Sequence, residues 1–115
     1  MLLDINSARK DKALIVVKAK ITLKTSEEGG KSNPIRTGYR PNHVFIQPKN
    51  IKELSTYIGE IQFSDYEFIY PGETKIVEII FARGGEIDKY INVGQKWFLY
   101  EVPKLVGEGE ILEIQ

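Results

Sequence analysis

The clearest pattern in the chain is an alternation of apolar and polar residues between positions 13 and 24. Val17, Ala19, Ile21 and Leu23 alternate with lysines and a threonine, which gives a period of two. This period predicts a β-strand with one buried face and one solvated face. The lysines are then the solvated outer face of a sheet, and a stripe that binds polyanions is the alternative interpretation.

Five further apolar runs follow, separated by turns that contain glycine and proline. They cover residues 44–46, 57–63, 75–82, 96–102 and 105–114. No segment has a long apolar period of 3.6 residues, so the sequence predicts no long helix. Several short strands between Gly and Pro turns predict an all-β barrel or sandwich. A closed barrel also removes the exposed edges of so many apolar strands.

Glycines inside these runs predict local features of the backbone. Gly59 lies within a strand, which indicates a bulge or a sharp bend. Gly107 and Gly109 are two residues apart and share one face. Glycines on one face let a backbone or an aromatic ring approach closely at a barrel corner.

The fifth predicted strand holds the aromatic residues Trp97, Phe98 and Tyr100. Their place in a central strand predicts that they belong to the core. A stacking platform for RNA bases is the alternative.

Length and charge limit the class of protein. The 115 residues suffice for one domain, which we expect at 13–115 after a lead-in arm at 1–12. Sixteen basic and sixteen acidic residues give a net charge of zero, which argues against nucleic-acid binding through bulk electrostatics. We expect no signal peptide and no membrane span, and therefore a cytoplasmic protein.

Residues that carry catalytic chemistry are scarce. There is no cysteine, which excludes disulfides, thiolate nucleophiles and thiolate metal ligands. His43 is the single histidine and no carboxylate motif accompanies it, so it is a weak candidate for a metal ligand or a base. We therefore expect no enzyme activity, no metal site and no cofactor.

The segment from Glu27 to Pro41 is too long for a tight hairpin and has little apolar surface to bury. Long loops in compact domains are functional or disordered, so we expect this one on the outside of the barrel as the functional segment. Arg36 and Arg40 are expected to pair with Glu27 or Glu28, and phosphate binding is the alternative. Tyr39 is expected to anchor the loop, with its hydroxyl bonded to the backbone.

The same segment resembles part of a known family. The matching residues run from Lys24 to Phe45 and include Glu27-Glu28-Gly29-Gly30, Pro34 and Gly38-Tyr39-Arg40-Pro41. Further matches are Tyr57 to Ile61, Pro71-Gly72-Glu73 and Val106-Gly107-Glu108-Gly109. In this order, over about residues 13–114, the chain resembles the third domain of bacterial elongation factor Tu. The Gly-x-x-x-x-Gly-Lys-Ser/Thr phosphate loop of a GTPase is absent from the sequence, so we expect no nucleotide binding.

The resemblance implies a fold and a set of site residues. The fold is a closed six-stranded antiparallel β-barrel. The RNA-contacting positions that carry over are Arg40, Asn42, Glu101 and Lys104, and the residues that organise the loop are Glu27, Glu28, Gly29, Gly30, Gly38, Tyr39 and Pro41. Asn42 replaces a glutamine of the family, and Val102-Pro103 replaces a pair of glycines.

Two hypotheses about function follow. The first is a non-catalytic binding module of translation, with tRNA, ribosome-associated RNA or a translation-associated protein as the partner. The second is a protein–protein interaction module, such as an immunity-type subunit, with no role in RNA binding. This second hypothesis predicts an exposed apolar patch on one flank of the barrel.

Overall fold

The computed structural model describes residues 2–115, so Met1, the first residue of the predicted arm, lies outside the described residues. The six strands are β1 Leu14–Leu23, β2 Asn42–Val44, β3 Tyr57–Gln62, β4 Thr74–Ala82, β5 Lys96–Glu101 and β6 Lys104–Ile114. The helix α1 spans Ile5–Ala8, and two 3-10 turns span Ile51–Glu53 and Ile87–Tyr90. Each strand overlaps a run that the apolar pattern predicts.

The strands form a closed antiparallel barrel in the order β1-β4-β3-β2-β5-β6, with β6 pairing back to β1. The predicted all-β, six-stranded closed barrel is thus confirmed. The connections 24–41, 63–73 and 102–103 lie at one end of the barrel, which we call the long-loop end. The connections 45–56 and 83–95 lie at the opposite end.

Aromatic rings fill the centre of the barrel, and glycines make room for them. Trp97 is fully buried and packs against Phe45 and Phe81, with ring centroids 5.8 and 6.0 Å away. A Cβ on Gly109 would lie 2.7 Å from Cη2 of Trp97, and one on Gly107 would lie 2.7 Å from a backbone oxygen of β1. The predicted close approach at these two glycines is confirmed.

Gly59 has a different role from the predicted one. The pairing of β3 with β4 runs from Gly59 to Gln62 without a shift of register, so the predicted bulge is wrong, and the bend stays a prediction. A Cβ at Gly59 would lie 2.7 Å from Nε2 of His43 and 2.8 Å from Cδ1 of Phe81. The glycine therefore leaves space for the buried imidazole of His43. That residue lies on β2, and the sequence around Gly59 does not show that β2 is the neighbouring strand.

The N-terminal segment packs on the outside of the barrel. Asp4 caps α1 by accepting a hydrogen bond from the backbone N–H of Asn6 at 3.1 Å. Ala8 is buried against Val16 and Ile80, which point outward from β1 and β4. These two outward apolar residues are therefore covered by the arm instead of water.

The lysines of β1 share the outer surface with acidic residues. Lys18 lies opposite Glu78 of β4 and Glu113 of β6, and Nζ of Lys20 is 3.9 Å from Oε1 of Glu110. Cross-strand pairs of opposite charge fit a solvated outer face better than a stripe for polyanions.

Candidate functional site

The loop at 24–41 crosses the long-loop end of the barrel and is fixed there by backbone hydrogen bonds and by core packing. Ile35 is 2% exposed and joins the core, and its backbone exchanges hydrogen bonds of 2.9 and 3.0 Å with Ile69. The N–H of Gly38 donates to the carbonyl oxygen of Ile61 at 2.8 Å. The N–H of Ile61 donates to the carbonyl oxygen of Tyr39 at 2.9 Å. The expectation of a loop with little to bury is therefore wrong at Ile35, because an apolar residue is needed to cover the mouth of the core.

The loop begins with a turn that has the reciprocal hydrogen bonds of a capping box, between Thr25 and Glu28, although no helix follows. Oε1 of Glu28 accepts hydrogen bonds of 2.9 Å from the backbone N–H and the hydroxyl of Thr25, and Oγ1 of Thr25 accepts one of 3.2 Å from Glu28 N–H. The backbone and hydroxyl bonds from Thr25 lower the pKa of Glu28. Gly29 then takes a φ of +91°, which favours glycine. The Thr-x-x-Glu spacing was a readable signal for these bonds in the sequence.

Arg40 pairs with a residue far from its own loop. Its Nε and Nη2 donate to Oε1 of Glu60 at 2.9 and 2.7 Å. Glu60 is 1% exposed, and its Oε2 also accepts hydrogen bonds of 2.9 Å from the N–H of Leu3 and 2.6 Å from Nε2 of Gln62. Burial opposes ionisation, but the hydrogen bonds and the charge of Arg40 outweigh it and lower the pKa of Glu60.

The predicted ion pair of Arg36 or Arg40 with Glu27 or Glu28 is therefore wrong. Glu28 is used in the capping box, and Glu27 is exposed and makes no ion pair within residues 2–115. The register explains the choice of Glu60. Asn42 of β2 lies opposite Ile58 of β3 in an antiparallel pair. Two residues before Asn42 and two residues after Ile58, Arg40 therefore lies beside Glu60.

Glu101 forms a second charged cluster with Tyr39 and Lys31. The hydroxyl of Tyr39 donates to Oε2 of Glu101 at 2.5 Å, so the predicted bond to the backbone is wrong. Nζ of Lys31 donates to the same oxygen at 2.6 Å and lies 5.3 Å from the centre of the Tyr39 ring. Burial and the bond to Glu101 raise the pKa of Tyr39. Burial opposes ionisation of Glu101, but the bonds from Lys31 and Tyr39 prevail and lower its pKa.

The remaining predicted site residues lie around these clusters. Asn42 is half-buried, and its Nδ2 donates to the carbonyl of Tyr100 at 3.4 Å. Lys104 is exposed and faces Glu101 across the hairpin from β5 to β6. Asn42, Glu101 and Lys104 therefore belong to neighbouring strands, whereas Arg40 turns toward β3 on the other side of β2.

Three further residues of the predicted loop-organising set are closely surrounded by other atoms of the chain. Gly38 has a φ of +95°, and a Cβ there would lie 2.5 Å from Cδ2 of Leu2 in the N-terminal arm. Gly30 approaches the backbone of Lys24, whose carbonyl oxygen would be 2.5 Å from an added Cβ. Pro41 is buried just before β2.

Three exposed aromatic residues at the long-loop end were not among the predicted site residues. Tyr66, Phe68 and Tyr70 are 96%, 44% and 52% exposed. The guanidinium of Arg36 lies 5.6 Å from the centre of the Phe68 ring, and the rings of Phe68 and Tyr70 are 6.2 Å apart. We call these four residues the aromatic rim. The alternation of aromatics at 66, 68 and 70 was a readable signal in the sequence.

The other aromatic candidate does not form a platform. Trp97 and Tyr100 are buried, and the hydroxyl of Tyr100 accepts a hydrogen bond of 2.9 Å from Nε2 of Gln47. The core interpretation of these two residues is confirmed, and the alternative of a stacking surface for RNA is wrong. Phe98 is half-buried on the outer face of β5.

His43 is engaged on both ring nitrogens. Nε1–H of Trp97 donates to Nδ1 at 3.0 Å, and Nε2 then carries the proton and donates to the carbonyl of Gly59 at 3.0 Å. Burial lowers the pKa of His43 to about 4, although the bond to Gly59 acts in the opposite direction.

Within residues 2–115 there is no group of three or more His, Cys, Asp or Glu side chains placed to hold a metal ion. Those residues also contain no helix with the length and apolar character needed to cross a membrane.

A comparison of the chain with protein-family models finds none that matches.

Proposed function

We propose that this chain is a non-catalytic binding module and that a protein partner docks on the aromatic rim. The observation that carries the proposal is the exposure of Tyr66, Phe68 and Tyr70, with the guanidinium of Arg36 over the Phe68 ring. Tyrosine, phenylalanine and arginine are enriched in protein interfaces, and tyrosine and arginine are frequent among the residues that dominate binding energy.

The rim is held in place before any partner arrives. The two-way backbone bridge between Ile35 and Ile69 anchors both loops, and buried Ile69 stands between Phe68 and Tyr70. Side chains on an anchored backbone lose less conformational freedom on binding than side chains on a mobile loop.

The charges around the rim favour a protein over a polyanion. Asp65, Glu67 and Glu73 belong to the same connection as the three aromatic residues, and Glu67 forms an ion pair with Lys75. RNA binding depends on uncompensated positive charge, and the chain as a whole has a net charge of zero.

The non-catalytic part of the proposal is supported by His43 and by the two buried or half-buried carboxylates. Both nitrogens of His43 are used inside the core, away from solvent. Glu60 and Glu101 are committed to Arg40, Lys31 and Tyr39. A general base or nucleophile needs access to a substrate, which the buried His43 and Glu60 do not have.

Photo-crosslinking in the cells that produce this protein tests the proposal. A benzophenone amino acid placed at Tyr66 is expected to yield one discrete protein adduct, which weakens when Arg36→Ala and Phe68→Ala are added. The same photo-crosslinker at Lys20, exposed on the outer face of β1, is the matched control and is expected to yield no such adduct. Adducts that are equal at both positions, or absent at Tyr66, would contradict a docking role for the rim.

RNA binding is the second candidate function. It follows the resemblance to the third domain of elongation factor Tu, under which the chain is a relative of that domain and acts in the cytoplasm in translation. The observation in its favour is that Arg36 lies beside exposed aromatic rings, a combination on which single-stranded bases can stack. Lys104, exposed at the same end of the barrel, adds a positive charge.

Fluorescence titration with tRNA at increasing salt tests this candidate. Binding that weakens with salt, and that weakens further in Lys104→Ala and Arg36→Ala, is the expected result. The absence of binding at low salt would count against it. An RNA adduct in the crosslinking experiment at Tyr66 would favour it over a protein partner.

A further inference from the structure

We propose that a pocket at the opposite end of the barrel binds an alkylammonium group. The pocket lies between the connections 45–56 and 83–95 and has a volume of about 200 Å³. Three aromatic rings and two carboxylates line it, from Phe45, Tyr57, Tyr90, Glu53 and Glu86. The aromatic rim lies at the other end of the barrel, so this proposal does not rest on the proposed function.

Two of the three rings are parallel, and the third stands at a steep angle to both. Phe45 and Tyr90 stack in parallel, with centroids 5.1 Å apart and 7° between their planes. Tyr57 stands at 68° to Phe45 and at 61° to Tyr90, with centroids 5.7 and 6.2 Å away. Tyr57 and the stacked pair therefore form the walls of a corner. A cation is attracted to the faces of aromatic rings, and because Phe45 is buried between Tyr90 and Trp97, that attraction comes from Tyr57 and Tyr90.

The mouth of the pocket carries negative charge. Glu53 and Glu86 are exposed at its edge, and Glu53 makes no ion pair within residues 2–115. Carboxylates beside aromatic rings attract an organic cation and repel phosphate or carboxylate ligands. The carboxylates therefore favour a positively charged ligand, and the aromatic rings favour a ligand with apolar groups around that charge.

The chain already places one of its own ammonium groups in this environment. Nζ of Lys89 lies 5.3 Å from the centre of the Tyr90 ring and donates to Oε2 of Glu86 at 2.9 Å. Lys89 thus satisfies Glu86 from one side, while Glu53 across the pocket carries a charge with no counter-ion from the described residues. A second ammonium group entering beside Tyr57 would complete the same arrangement with Glu53.

Ring faces favour a poorly hydrated ammonium, such as a methylated one, because less hydration is lost when it enters the pocket. The source can be a free amine or a lysine side chain of another protein. The shared chemistry is an alkylammonium head on an apolar stem, and the pocket is small for anything larger than such a head group.

NMR titration of the full chain with tetramethylammonium chloride tests the proposal, with tert-butyl alcohol as the neutral probe of similar shape. We expect saturable shifts of the Tyr57 and Tyr90 ring signals with the cation and weaker shifts with the alcohol. Glu53→Gln is expected to weaken cation binding by about two- to fivefold. Glu108→Gln, an exposed carboxylate on the outer face of β6, is the control and is expected to leave binding unchanged.

Three outcomes would overturn the proposal: no saturable shifts, equal shifts with the alcohol, or cation binding that is equal in Glu53→Gln and the unmodified protein. A further titration with a short peptide that contains trimethyl-lysine separates the two sources. Tighter binding of the peptide than of tetramethylammonium supports a protein side chain as the ligand, and equal binding supports a free amine. Thermal unfolding of each variant confirms that the fold is retained.

Discussion

The indole N–H of Trp97 donates a hydrogen bond to Nδ1 of His43 across 3.0 Å in the middle of the barrel. Both side chains are fully buried. The bond sets the tautomer, because Nδ1 must be an acceptor and the proton therefore resides on Nε2, which donates to Gly59. The core of this barrel thus includes a polar pair with every hydrogen bond satisfied.

This pair predicts a pH dependence of stability. Burial lowers the pKa of His43 to about 4 in the folded protein, whereas an unfolded histidine has a pKa of about 6.5. Between these values the unfolded chain binds the proton more readily, so acidification from about pH 6.5 to pH 4 favours unfolding, by about 3 kcal/mol in total. Urea unfolding at a series of pH values measures this loss.

The control for this prediction is His43→Gln. The variant is expected to be less stable at pH 7 but to lack the slope between about pH 6.5 and pH 5. Glu60 and Glu101 have pKa values below the usual 4.5, so the stability that they contribute is lost only at lower pH. The same slope in the variant and the unmodified protein would show that His43 is not its source.

Gly109→Ala is expected to destabilise the protein by about 1–3 kcal/mol. The added methyl group would lie 2.7 Å from Cη2 of Trp97, and the ring has no room to move because it packs on Phe81 and donates to His43. Gly84→Ala is the matched control, since a Cβ there has no atom within 4 Å. Equal midpoints of urea unfolding for the two variants would refute the steric argument.

Arg40→Ala is expected to lower the free energy of unfolding by about 1–3 kcal/mol. The substitution leaves a 1% exposed Glu60 carboxylate without its guanidinium partner, although Leu3 N–H and Gln62 still donate to it. The pKa of Glu60 should rise in the variant, which carboxylate NMR can follow. Lys104→Ala, at an exposed position, serves as the control and should change stability by much less.

Tyr39→Phe is expected to cost about 0.5–1.5 kcal/mol, because the hydroxyl no longer donates to Glu101. Lys31 still neutralises the carboxylate, so the loop should remain folded. Tyr66→Phe removes the same atom from a side chain that is 96% exposed, and it should be neutral in urea unfolding. A loss in Tyr39→Phe no larger than that in Tyr66→Phe would contradict the role of the hydroxyl bond.

The contacts of the long loop were the least predictable part of the molecule. Arg40 and Tyr39 were correctly predicted to be polar residues with a partner, but the predicted partners lay within the loop or its backbone. Glu60 lies 20 residues from Arg40, and Glu101 lies 62 residues from Tyr39. These partners depend on which strands are neighbours and in what register, and a local pattern contains no information about either.

The order of apolar and polar residues was sufficient by itself to predict six strands, an all-β fold and the close approach at Gly107 and Gly109. These properties are local, since a period of two and the lack of a side chain act on the backbone where they occur. Only the tertiary structure decided that Ile35 closes the barrel, that Gly59 makes room for His43, and that Arg36 lies over the exposed ring of Phe68. Each of these depends on the closure of the barrel, which brings distant segments together. The register in which they meet is determined by burial of the apolar face of every strand in one core.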